Sequence, residues 1–117
     1  MINIVNKKFH EPTEYDYYIA RPNPLGNPFT HKLNTKFGKI IVSSREDAIN
    51  NYEDWLKYKI IENDDEIINE LKKLIDFYKK NNNEINLVCW CKPEDCHGDI
   101  LKKFIIGELF IQDNLKI

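Results

Sequence analysis

A chain of 117 residues, 42% hydrophobic and 31% charged, has the size and balance of one ordinary globular domain and can bury roughly two-thirds of its unfolded surface without a metal or disulfide. Its formal net charge of -2 argues against the broad basic face needed for non-specific nucleic-acid binding, and leaves room for a local basic pocket. No stretch reaches the ~20 apolar residues of a membrane span, Met1 to Phe9 lacks a signal-peptide core, and Cys89, Cys91 and Cys96 share one short segment, so a reduced, cytoplasmic protein is expected rather than a disulfide framework.

In chain order, Ile2, Ile4 and Val5 predict a first strand. Tyr17 to Ala20 predict a second, after the polar run Lys7 to Glu14. The segment Arg21-Pro22-Asn23-Pro24-Leu25-Gly26-Asn27-Pro28-Phe29 holds three of the five prolines. Their rings remove backbone donors and fix φ, so this is a shaped loop. Ile40 to Val42 predict a further short strand. From Ser43 the period changes. Ser43 and Glu46 can form a capping box, and Ala48, Ile49, Tyr52, Trp55, Leu56 and Ile60 recur at helical steps. A second helix is expected from near Asn63, with Glu66 completing its box and Ile67, Ile68, Leu71, Leu74, Ile75 and Tyr78 as its buried stripe. It ends at Asn81-Asn82-Asn83. Ile85, Leu87, Val88 and Trp90 read as a central strand covered on both faces. Beyond Pro93 a third helix carries Ile100, Leu101, Phe104, Ile105 and Leu109.

Strands followed by helices predict a single α/β domain over 1–117: a small parallel or mixed sheet of three to four strands with helices packed on it, Rossmann-like. In such sheets ligands bind beyond the carboxyl ends of the strands, where both unusual loops emerge. The Cys89 to Asp99 segment runs from a strand into a helix start. There, unpaired amides and a partial positive charge suit phosphate or carboxylate. Gly98 would let a ligand approach the backbone, Lys92 and His97 would add positive charge, and the same field would raise the thiolate fraction of Cys96. The plain alternatives are Asp95 as N-cap, Cys89 and Cys91 as small buried residues, and Trp90 as core. Cys89, Cys91, Cys96 and His97 could together offer ligands to zinc, but the spacing does not match a common knuckle and no metal or other cofactor is expected.

In the first loop Arg21 can form a paired hydrogen bond to phosphate or carboxylate. Asn23, Leu25, Gly26 and Asn27 shape a stiff wall around it, and stiffness lowers the entropy lost on binding. Phe29 either stacks on a base or anchors the loop in the core. Arg45 and Tyr52 could complete the wall, with salt bridging and core packing as their alternatives. His10 and His31 receive no role.

Together, Arg21-Pro22-x-Pro24-Leu25-Gly26-Asn27-Pro28-Phe29, Cys89-Trp90-Cys91-x-Pro93-x-x-Cys96-His97-Gly98-Asp99, and between them Ser44-Arg45-Glu46-Asp47-Ala48-Ile49 with Tyr52 and Trp55-Leu56, resemble the bacterial and phage family called domain of unknown function 4326. The resemblance runs roughly from Tyr17 to Leu109. It implies an α/β domain and pocket-lining positions, and brings no activity.

Three functions follow as expectations. The first is binding of a small anionic, nucleotide-like molecule by Arg21, Asn23, Leu25, Gly26, Asn27, Phe29, Arg45, Trp90, Cys91, Lys92, Cys96, His97 and Gly98, in a phage protein that sequesters a host nucleotide signal. The second is a nucleotide-processing enzyme, by glycosidic or phosphoryl chemistry, with Cys96 as nucleophile or His97 as acid or base and Asp99 orienting it. The third is a structural or protein-interaction domain. No membrane partner is expected. Tyr15, Tyr58 and Phe110 are candidates for a contact between copies in a homo-oligomer.

Overall fold

The structure, a computed structural model, describes residues 1–30, 40–90 and 96–107. Within them the order is β1 (Ile2–Asn6), β2 (Asp16–Tyr18), β3 (Phe29–Thr30), β4 (Ile40–Ile41), α1 (Arg45–Ile61), α2 (Asp65–Lys80), β5 (Ile85–Cys89) and α3 (Gly98–Ile105). The expected α/β class stands. β5 lies between β1 and β2 in a three-stranded sheet, and β3 and β4 form a separate pair. All these pairings are parallel: Ile2↔Ile85 to Asn6↔Cys89, Asp16↔Asn86 to Tyr18↔Val88, and Phe29↔Ile40 with Thr30↔Ile41.

Side chains alternate across a sheet, so this register sorts them. Ile2, Ile4, Tyr17, Ile85, Leu87 and Cys89 share one face. The helices bury it with Tyr52, Leu56 and Ile60 from α1, Ile67, Leu71, Leu74 and Ile75 from α2, and Ile100, Leu101, Phe104 and Ile105 from α3. Asn3, Val5, Asp16, Tyr18, Asn86 and Val88 share the other. There Asn86 and Val88 are buried, but the cover is a polar network rather than a helix. Asn3 Nδ2 donates to Asn86 Oδ1 at 3.0 Å, and Asn86 Nδ2 donates to Asp16 Oδ1 at 3.0 Å and Thr13 Oγ1 at 3.2 Å. His10, given no role by the sequence, meets Asp16 Oδ1 at 3.0 Å. Burial alone would push the Asp16 carboxyl up; hydrogen bonds from the Thr13 backbone, Asn86, His10 and the Thr13 hydroxyl outweigh it and hold its pKa at about 2. β5 is thus covered on both faces, as its apolar run predicted.

Several local expectations shift. Ser44, not Ser43, caps α1, its Oγ accepting from Asp47 N at 3.1 Å. Asp64 rather than Asn63 caps α2, accepting from Ile67 N at 3.1 Å. Asn63 is instead at φ 59, a left-handed residue that asparagine tolerates, closing the end of α1. The strand after Tyr15 is shorter than its apolar run and ends at Tyr18. His31, Cys91, Lys92, Asp95, Leu109 and Phe110 lie outside the described residues. No helix among the described residues is long and apolar enough to cross a membrane.

Candidate functional site

Because β1, β2 and β5 are parallel, their carboxyl ends share one edge, and the two conspicuous segments both start there. The first leaves β2 and passes through a cis Arg21-Pro22 bond into a loop tied down by its own polar side chains. Asn23 Nδ2 donates to Tyr18 O at 3.0 Å and Glu70 Oε2 at 3.2 Å, while its Oδ1 accepts from Leu25 N at 2.8 Å. Asn27 Nδ2 donates to Ala48 O of α1 at 3.1 Å, and its Oδ1 accepts from Phe29 N at 2.9 Å. Tyr52, fully buried, donates to Leu25 O at 2.7 Å. Leu25 is also fully buried and Phe29 packs against the core, so both anchor the loop. Gly26 folds back on Arg21: a Cβ there would stand 2.6 Å from both Arg21 N and Arg21 Cγ.

Arg21 is the half-buried cation that this loop holds. Its Nε donates to Asn27 O at 2.7 Å, which fixes the plane of the guanidinium. The two terminal nitrogens have no hydrogen-bond partner among the described residues, and neither is sealed from solvent. Partial burial lowers the Arg21 pKa, with Tyr52 acting in the opposite direction, and the group stays charged at any ordinary pH. Arg45 opens α1 one turn before Ala48, the residue whose carbonyl holds Asn27.

The second segment reaches α3 and turns inward. Cys96 is 1% exposed and His97 5%. His97 Nε2 donates to Ile19 O at 2.8 Å, directly after β2, so the two motifs meet. That bond fixes the tautomer and leaves Nδ1 to face Cys96 Sγ at 3.6 Å, while Gly98 N donates to the same sulfur at 3.4 Å. The His97 ring stands edge-on to Tyr52, centroids 5.1 Å apart. Burial lowers the His97 pKa, overriding the Ile19 carbonyl, and keeps the imidazole neutral.

The expected anion site at this helix start is not formed by its first amides. Asp99 N and Ile100 N donate to Cys96 O and His97 O, each at 3.0 Å, and Gly98 N is taken by sulfur. Asp99 Oδ2 accepts from Cys96 N at 3.2 Å, so that contact serves the turn rather than orienting His97. Gly98 lets α3 lie on the sheet: a Cβ there would meet Ile19 Cδ1 at 3.0 Å and Ile4 Cγ2 at 3.1 Å.

Trp90 is not core; it follows β5 and is 54% exposed. Its Nε1 donates to Tyr18 Oη at 2.9 Å, and that hydroxyl donates to Arg21 O at 3.1 Å. Lys7 Nζ stands 5.1 Å from the Tyr18 ring centroid and 5.7 Å from that of Trp90.

The structure adds Glu70 to the site. Its Oε2 accepts from Tyr17 Oη in a short hydrogen bond and from Asn23 Nδ2, tying α2 to the first loop. Burial foremost, then Glu70, raises the Tyr17 pKa. The signal was present: Glu70 follows Ile67 by three residues and precedes Leu74 by four, a charged residue at the spacing of a buried stripe. Among the described residues no three side chains gather as metal ligands.

The family described as Domain of unknown function (DUF4326) matches residues 2–107, and the chain belongs to it. No curated protein and no solved structure matches it.

Proposed function

We propose that this DUF4326 domain binds a small anionic, nucleotide-like molecule and receives its anionic group at Arg21. The observation that carries the reading is the guanidinium itself. Its Nε is fastened to Asn27 O, and its terminal nitrogens are unpaired among the described residues and not fully buried. Two parallel N–H groups match two oxygens of a phosphate. They sit at the carboxyl edge of a parallel sheet, the usual ligand position in α/β folds, on a loop whose internal bonds reduce the ordering cost of binding.

Titrating ADP, cyclic AMP and pyrophosphate into the protein tests this. Binding of at least one is expected, and Arg21→Ala should weaken it by about 100-fold, the worth of a paired charge-assisted contact. No response to any of the three would overturn the reading.

Chemical processing of the same molecule is a second reading, favoured by the Cys96 Sγ to His97 Nδ1 contact at 3.6 Å, which joins a thiol to a base. The burial of both groups weighs against it. Ligand recovered unchanged after long incubation supports binding alone; turnover lost in Cys96→Ser would establish the second.

A further inference from the structure

We propose that the ligand is a nucleotide whose base stacks on a platform of Trp90, Tyr18 and Lys7, an assignment that rests on the anion reading of Arg21. The five residues before Trp90, Ile85 to Cys89, are all buried, yet the indole is half in solvent. An exposed tryptophan usually turns freely; this one is pinned by its Nε1 bond to Tyr18 Oη, and Tyr18 in turn holds Arg21 O. The aromatic surface is therefore oriented by a short relay that ends on the residue carrying the guanidinium.

Sheet register places the three platform residues together. Tyr18 and Val88 are partners, and Lys7 and Trp90 each follow the last residue of the Asn6↔Cys89 pair. All three side chains emerge at the carboxyl edge on the face away from the helices. Lys7 forms no ion pair with a carboxylate among the described residues, and its ammonium rests over the two rings. A half-exposed aromatic surface pinned through Tyr18 to the Arg21 backbone, with Lys7 bracing one side of the rings and the Arg21 guanidinium on the adjoining loop, fits a ligand that is planar at one end and anionic at the other. The overall charge of -2 favours a single nucleotide over a nucleic-acid strand, which needs a basic track along its backbone. Stacking is tolerant of base identity, so the platform ranks purines above pyrimidines by area rather than selecting one base.

AMP and ribose 5-phosphate, which lacks the base, separate this inference from the reading beneath it. Calorimetric titration of the full chain should show AMP binding roughly ten- to a hundred-fold more tightly than ribose 5-phosphate. Trp90→Ala should collapse that ratio towards one. Trp90→Phe should keep most of it, and also guards against a folding defect in the alanine variant. Arg21→Ala should weaken both ligands. A ratio preserved in Trp90→Ala, or already near one in the wild type, overturns the base platform while leaving the anion site standing. Failure of the wild type to bind either ligand, or full affinity in Arg21→Ala, overturns both.

Discussion

In the loop after β2, the amides of Asn23 and Asn27 are consumed by their own backbone and by α1 and α2, and the consequence is a guanidinium held at Nε with its terminal nitrogens unpaired among the described residues. At the start of α3, Cys96 and His97 are consumed in the same way, but both of these side chains are buried against the loop they support. Polar residues inside a fold are obliged to find partners. A conspicuous motif thus marks a place where the backbone needs help as readily as a place where a ligand binds, and only the group left unpaired at the surface tells the two apart.

If this contrast is right, substitutions in the α3 turn should register in stability and those at Arg21 in binding. The largest stability loss is expected for His97→Ala, which orphans Ile19 O and opens a cavity beside Tyr52; about 2–4 kcal/mol should be lost in urea denaturation. Gly26→Ala should cost about 1–3 kcal/mol, because its methyl would meet the unyielding Arg21 backbone nitrogen at 2.6 Å. Gly98→Ala should cost about 1 kcal/mol, less than Gly26→Ala, since there the methyl meets side-chain atoms of Ile19 and Ile4 at 3.0 and 3.1 Å rather than backbone. Equal losses at the two glycines would break the account of why each is there.

A smaller stability effect is expected with pH. The His97 pKa lies below its ordinary 6.5 because the folded state buries the neutral ring. As pH falls through 6.5 the unfolded chain takes up a proton that the native chain refuses, so stability should decline, by at most about 1.4 kcal/mol per pH unit. His97→Gln retains a donor for Ile19 O and should flatten that decline between pH 6.5 and the lowered folded value. Asp16 acts in a separate window, its contribution present above 3.8 and lost as pH falls through about 2.

The sequence was readable where one local pattern sufficed. The stripe Ile67, Leu71, Leu74 and Ile75 placed α2, and the unbroken apolar run Ile85 to Cys89 placed the central strand. Cap positions slipped by one residue because Ser43 and Ser44, or Asn63 and Asp64, are equally able to cap, and the backbone at φ 59 decided the second case. The pairing of Asn3, Thr13, Asp16 and Asn86 was illegible, since its members stand up to 83 residues apart. For the site, residue type identified Arg21 and the rigid loop. It could not show that the amides at the start of α3 are already occupied, nor that Trp90 lies outside the core, because both follow from how the turn seats against Ile19 and Tyr18.

Whether Arg21 receives an anion is decided by calorimetric titration of pyrophosphate into the wild type, Arg21→Lys and Arg21→Ala under one salt condition. A point charge without the planar fork should recover only part of the affinity, so the expected order is wild type, then lysine about ten-fold weaker, then alanine about 100-fold weaker. Pyrophosphate bound as tightly by Arg21→Ala as by the wild type would contradict that role.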